Sequence, residues 1–171
     1  MPLLIYDYKT KSIVQEIKDV TPGVGRLDRS GGYNVYYSAK GNYLLVQQKR
    51  LESSFKKSRK ADYKIIDLAQ GKVIHKFSQI NDAKISFDET QIITLEGGTI
   101  HFRDIKSGKS LRSFKPEEAC NALAISPDGK ELAVVIKPNK KEVMMVSSVR
   151  SSKKAIKAAA KLKHMIAIYS A

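Results

Sequence analysis

The chain has 171 residues, with 31 Lys and Arg against 17 Asp and Glu, a net charge of +14, one Cys and no Trp. This length suits one domain with a core. A single Cys excludes an internal disulfide, and no run reaches the roughly 18 apolar residues of a membrane-spanning helix. The N-terminal MPLLIYDYKT is too short and too polar for a signal peptide, so the chain reads as soluble and cytoplasmic, with no membrane partner.

LLIYDYKTKSIVQEI, at 3–17, is two apolar strands around a turn opened by Asp7. YYSAKGNYLLV follows at 36–46, two strands around Ser38, and YKIIDLAQGKVIHKF at 63–77 repeats the first element with Asp67 and Gly71-Lys72. ISFDETQIITL at 85–95 repeats the second around Ser86-Phe87-Asp88, and IHFRDIKSGKSLRSF at 100–114 repeats the first again with Asp104 and Gly108-Lys109. Between them, Glu96-Gly97-Gly98 predicts a tight turn rather than a bend for ligand approach. ISPDGKELAVV at 125–135 closes a third copy of the serine turn, 40 residues after the second, and IAIYSA at 166–171 begins another copy of the Asp element.

The polar knot Ser126-Pro127-Asp128-Gly129 has the composition of a nucleophile's loop. Pro127 sets φ for a turn, Asp128 can close an Asx-type bond, and Gly129 supplies a left-handed position. No base or glycine-framed strand-to-helix elbow accompanies Ser126, so the expectation is a hairpin turn and not catalysis. Cys120, in the apolar context Ala119-Cys120-Asn121-Ala122, reads as a buried structural thiol. His75, His101 and His164 have no Cys or carboxylate at metal-ligand spacing, so no metal site and no cofactor is expected.

Labelling the strands of each unit a, b, c and d, the order is c-d, then a-b-c-d twice, then a-b-c. Four short strands per unit of about 40 residues predict β-propeller blades; an open β-sandwich would not repeat its Asp turn in register. The expected fold is all-β, a partial propeller over 1–171 of about three blades, with units at about 3–17 (a remnant), 33–77, 83–114 and 121–171 (incomplete). The Asp that ends strand c resembles the frame of the WD-repeat family, although Tyr6-Asp7, Ile66-Asp67 and Arg103-Asp104 stand where that family has Trp-Asp. Open sheet edges recruit other strands. The rest of a longer propeller, or other copies, is expected to cover them; the first is preferred because the chain starts at strand c and stops before strand d.

The charge is concentrated. Residues 49–64, KRLESSFKKSRKADYK, hold seven Lys or Arg against Glu52 and Asp62, and residues 137–163 hold nine against Glu142, so these 43 positions carry +13 of the +14. Both segments fall after strand b and before strand c, which in antiparallel blades places them on one face of the propeller. Their fields would merge into a surface that attracts a polyanion. The expected RNA- or partner-binding residues are Lys49, Arg50, Lys56, Lys57, Arg59 and Lys60 from the first segment. Lys140, Lys141, Arg150, Lys153, Lys154, Lys157, Lys161 and Lys163 come from the second. Residues 152–163 are good helix formers and predict a short basic helix, while Val143-Met144-Met145-Val146 is expected to extend the strands. Phe55 is the one aromatic within the first insertion, so phosphate contacts would dominate over base stacking. A merely solvating loop, or a nuclear-import signal at Lys56-Lys57-Ser58-Arg59-Lys60, accounts for the same residues.

The series YLLVQQ with a charged insertion, ADYKIIDLAQGKVIHKF, SFDETQIITLEGGTIHFRD, and SPDGKELAVVIKP with a second insertion resembles the β-propeller of eukaryotic translation initiation factor 2A, from about residue 33 onward. In the first of these blades it is also similar to the b subunit of initiation factor 3. The resemblance implies a noncatalytic scaffold that binds ribosomal RNA, the small ribosomal subunit or other initiation components. It supplies no catalytic residue. The competing expectations are a generic WD-repeat protein-interaction scaffold docking an acidic protein surface, and an enzyme, which the lack of a carboxylate, His or metal-ligand cluster disfavours.

Overall fold

The computed structural model describes residues 2–20, 30–53, 56–117, 119–136 and 166–170. Strands β1 (Leu3–Asp7) and β2 (Ser12–Ile17) form a two-stranded remnant sheet. The first blade is β3 (Ser30–Tyr37), β4 (Tyr43–Ser53), β5 (Lys56–Asp67) and β6 (Lys72–Ile80), paired in chain order. The second is β7 (Asp82–Ile85), β8 (Gln91–Glu96), β9 (Thr99–Asp104) and β10 (Ser110–Phe114). The third blade contains β11 (Cys120–Ile125), β12 (Glu131–Ile136) and β13 (Ile166–Ser170). Every pairing is antiparallel. The described residues are therefore all-β, a WD-repeat-like partial β-propeller in which strands c-d, a-b-c-d, a-b-c-d and a-b-c follow one another as the repeats predict.

The continuous apolar runs in strands b and c are explained by burial on both faces. Leu44, Val46 and Ile66 pack toward Ile17 and Val20 of the remnant, with Leu3 and Ile5 beside them. Leu45, Tyr63 and Ile65, on the opposite face of the same strands, pack against Ala83, Ile92 and Ile105 of the second blade. Ile93, Leu95, Ile100 and Phe102 then meet Cys120, Leu123, Leu132 and Val134 of the third. Each fully buried Leu or Ile contributes roughly 1.5–3 kcal/mol relative to exposure, so a solvated sheet face at any of these joins would be costly. Cys120 is buried within this packing, as a structural thiol.

The serine knots are turns. The Ser126 N–H donates to Glu131 O at 2.9 Å, the Glu131 N–H donates to Ser126 Oγ at 2.9 Å, and Ser126 Oγ donates to Asp128 at 2.6 Å. Ser86 repeats all three bonds with Gln91 and Asp88, and Ser38 repeats the first two with Tyr43. The Ser126 hydroxyl closes the hairpin, as the turn reading of the knot expects. The a-b and c-d turns share one end of each blade: Leu68 N donates to Asn42 O at 3.0 Å and Ile105 N to Thr90 O at 2.9 Å. The b-c connections therefore open at the opposite end.

One expectation needs correction. The described residues of the first basic segment, 49–53 and 56–64, are strand and not loop. They continue both strands, with Lys49 opposite Ala61, Leu51 opposite Lys57 and Ser53 opposite Lys56. β4 and β5 have 11 and 12 residues, against 6 each for β8 and β9, so the first blade carries an extended hairpin. The antiparallel ladder pairs the backbone groups of the two arms that face each other. The arms differ in length, and the mismatch appears as register shifts on either side of Leu51.

Candidate functional site

The extended hairpin is a cationic ribbon. Lys49 and Arg50 lie on its outgoing arm, and Lys56, Lys57, Arg59 and Lys60 on the returning arm. Lys49, which pairs with Ala61, and Lys60, beside Ala61 on the returning arm, are both exposed. Asp62 is held at the base of the ribbon, where it accepts the Gln79 N–H at 2.9 Å. By contrast, the second blade closes its b-c connection in two glycines, with Glu96 paired directly to Thr99. That tight turn matches the reading of Glu96-Gly97-Gly98, and Glu96 is engaged by Arg103 at 3.1 Å and by Thr94 Oγ1 at 2.7 Å.

In the third blade, Val135 pairs with Ile166, so the nine-cation segment joins β12 and β13 at the b-c end. Lys140, Lys141, Arg150, Lys153, Lys154, Lys157, Lys161 and Lys163, the expected basic helix at 152–163 and Val143-Met144-Met145-Val146 lie outside the described residues. The structure thus brings the six cations of the first segment onto one ribbon and places the attachment points of the second at the corresponding end of its own blade.

Beneath the ribbon lies a buried polar node that composition alone does not reveal. Asp82, at the start of β7, is only 7 % exposed. Its Oδ1 accepts from Ala83 N at 2.8 Å, Lys84 Nζ at 3.0 Å and the Tyr63 hydroxyl at 3.2 Å, while Oδ2 accepts from Leu123 N at 2.8 Å. Gln47 Nε2 of β4 donates to the same Tyr63 oxygen at 2.6 Å. One carboxylate therefore joins strand c of the first blade to strand a of the second and third. Burial, and then the Asp82 charge, raise the Tyr63 phenol above its ordinary range, so it stays a neutral donor.

At the other end of the blades, Glu89 occupies the turn position taken by Gly41 and Gly129 in the sister copies. It adopts φ +62° and reaches into the first blade, accepting from Lys40 N at 2.6 Å and Asn42 Nδ2 at 2.7 Å. Burial pushes its carboxyl up, but donors from Ser38, Asn42 and Lys40 outweigh this and hold it below the usual range. The turn aspartates follow the same logic in the open. Asp88, Asp104 and Asp128 are lowered first by the hydroxyls of Ser86, Ser107 and Ser126, and Asp7 first by the Lys9 N–H.

Among the described residues no three His, Cys, Asp or Glu side chains form a group able to hold a metal, and no helix is long and apolar enough to cross a membrane. The carboxylates most deeply placed, Asp82 and Glu89, are fully engaged in joining blades.

Comparison with known proteins extends this description by fold only. No protein-family model matches the chain, and no curated protein matches it. Among solved structures, it is similar to a crystal structure described as a eukaryotic initiation factor, at 19 % identity and a TM-score of 0.55, covering 81 % of this chain and 33 % of that one. It is also similar to the Cps50 (Swd1) β-propeller domain of Myceliophteria thermophila, at 16 % identity and a TM-score of 0.43, over 64 % of this chain and 34 % of that one. A third is Kuenenia stuttgartiensis hydrazine synthase, at 18 % identity and a TM-score of 0.49, over 81 % and 37 %. The chain spans about a third of the length of these structures.

Proposed function

We propose that this chain is a noncatalytic propeller scaffold of the translation initiation machinery that docks on RNA of the small ribosomal subunit through its basic ribbon. The observation that carries the reading is the contrast between two neighbouring hairpins: the first blade's b-c hairpin is lengthened and carries Lys49, Arg50, Lys56, Lys57, Arg59 and Lys60, while the second closes at once. A two-stranded ribbon projecting from a packed blade presents cations without a large loss of loop entropy on binding, and phosphate neutralisation supplies affinity through counterion release. The buried Asp82 and Tyr63 bonds brace the blade from which the ribbon projects. The assignment to translation initiation rests on the resemblance of the blade series, and the fold of the 19 %-identical initiation factor structure is compatible with it.

The test is binding to purified small ribosomal subunits and to a structured RNA across a salt series, for the native chain and for a variant with Lys56, Lys57, Arg59 and Lys60 changed to Glu. The expected result is tight subunit binding with a steep salt dependence. In the variant, the slope of log K against log salt falls by about one for each phosphate that is no longer neutralised. Equal, weak binding by both proteins would assign the ribbon to solvation and favour a protein-interaction scaffold.

A further inference from the structure

Tyr36 of β3 is 48 % exposed although it lies on a packed face. It stands opposite Leu45, whose side chain packs with Ala83, Ile92 and Ile105 of the second blade, so the neighbouring blade is in place and leaves the ring open. The repeat does not ask for a ring there. The residues at the same position in the other blades, two before the turn serine, are Lys84 and Ala124.

The ring is fixed beside the root of the basic ribbon. The Tyr36 hydroxyl and Lys49 Nζ each come within 3.1 Å of the Asn34 side-chain amide, and the Gln47 amide lies 2.8 Å from the same group. From Gln47 the bonds run through the Tyr63 hydroxyl, at 2.6 Å, to Asp82, at 3.2 Å. An exposed ring and an exposed ammonium group are thus held side by side and anchored to the buried node. Such anchoring reduces the side-chain freedom that a bound ligand would have to freeze. Tyr33, Tyr63, Phe77 and Phe114, by contrast, pack into the cores between blades.

We propose that Tyr36 is a stacking platform for one unpaired base of an RNA strand, with Lys49 taking an adjoining phosphate. The proposal rests on the RNA reading of the ribbon and adds a feature that the ribbon's own charges do not supply. A flat aromatic face accepts any splayed-out base, whatever its identity, so the class of ligand is single-stranded RNA running from the ribbon onto the root of β3. Duplex RNA keeps its bases stacked inside and engages the cations alone.

The probes are oligouridine of about 12 nucleotides and an RNA duplex with the same number of phosphates, each titrated with the full chain across a salt series. Tyr36→Ala is expected to weaken oligouridine binding by roughly five- to 150-fold, the range for one stacked base, without changing the salt slope. Tyr36→Phe on oligouridine, and Tyr36→Ala on the duplex, are expected to stay within about twofold of the native chain. Lys49→Gln is expected to lower the oligouridine slope by about 0.7, the value for one phosphate of a single strand. Because the chain has no Trp, Tyr36→Trp provides a single reporter, whose emission oligouridine is expected to quench and the duplex to leave unchanged. Oligouridine binding that survives Tyr36→Ala but is lost when Lys56, Lys57, Arg59 and Lys60 become Glu overturns this proposal and keeps the ribbon reading. Weakened binding in Tyr36→Ala without quenching in Tyr36→Trp also overturns it, since the ring would then act through the fold. Failure of the native chain to bind either RNA overturns both readings.

Discussion

Single carboxylates tie the blades to one another. Removing Asp82 would leave the Tyr63 hydroxyl and the Leu123 N–H without an acceptor in a buried setting. Such losses cost roughly 1–3 kcal/mol per unsatisfied group, so Asp82→Ala is expected to lower the urea midpoint strongly. Asp82→Asn, which keeps one acceptor oxygen, should lower it less. Glu89 tolerates a left-handed backbone because its side chain clasps the neighbouring turn. Glu89→Ala keeps the strain and loses the clasp, at about 2 kcal/mol in denaturant unfolding, whereas Glu89→Gly relieves part of that cost. The lowered carboxyls of Glu89, Asp88, Asp104 and Asp128 set the pH response. A carboxyl whose folded value lies below its unfolded value of about 4 gives stability that is complete above about pH 5 and lost as pH falls through the folded value. Acid titration of thermal stability is expected to show a decline confined to that range, smaller in Glu89→Gln.

At the scale of the strand, the same bond recurs between successive units. Gln15 Nε2 on β2 donates to Leu68 O at 3.0 Å, and His75 Nε2 on β6 pairs with Ile105 O at 2.7 Å. Each acceptor is the residue after the Asp that ends strand c, and the third residue in the column, Arg112, lies over the Phe102 ring at 4.1 Å. The turn glycines make room for this: a Cβ on Gly71 would come within 2.9 Å of the Gln15 amide, and one on Gly108 within 2.8 Å of the His75 ring. Both also hold φ above +60°. His75→Gln is therefore expected to preserve stability near that of the native chain, because Gln already serves this role one unit earlier, while His75→Ala loses about 1 kcal/mol. Gly108→Ala, facing both strain and a clash, should cost more than His75→Ala; thermal denaturation of the three variants orders them.

For the whole molecule, stability is a sum over stacked sheets and the joins between them. The second blade is covered on both sides, and β8 is buried along most of its length. The remnant sheet is held through one face, with Leu4, Tyr6, Ile13 and Val14 between 39 % and 60 % exposed. Native-state hydrogen exchange is expected to show β1 and β2 opening well before β8. Equal protection in both would mean that the stack unfolds as one unit.

The repeat, its strand order and its turns follow from local chemistry: Asp7, Asp67 and Asp104 close their turns onto nearby backbone N–H groups, and Ser38, Ser86 and Ser126 close theirs within five residues. Such short-range bonds leave a pattern that can be read along the chain, as does the crowding of charge into two segments. The extension of the basic segment into a ribbon was not legible, because Lys, Arg and Ser satisfy a loop and an exposed hairpin equally well until the opposite arm supplies a register. Nor was the role of Asp82, whose partners Tyr63 and Leu123 lie 19 and 41 residues away in the chain. Composition and periodicity by themselves determined an all-β repeat with its charge held at one kind of connection. Only tertiary packing decided which carboxylates bind blades together, because that depends on groups that meet solely when the sheets stack.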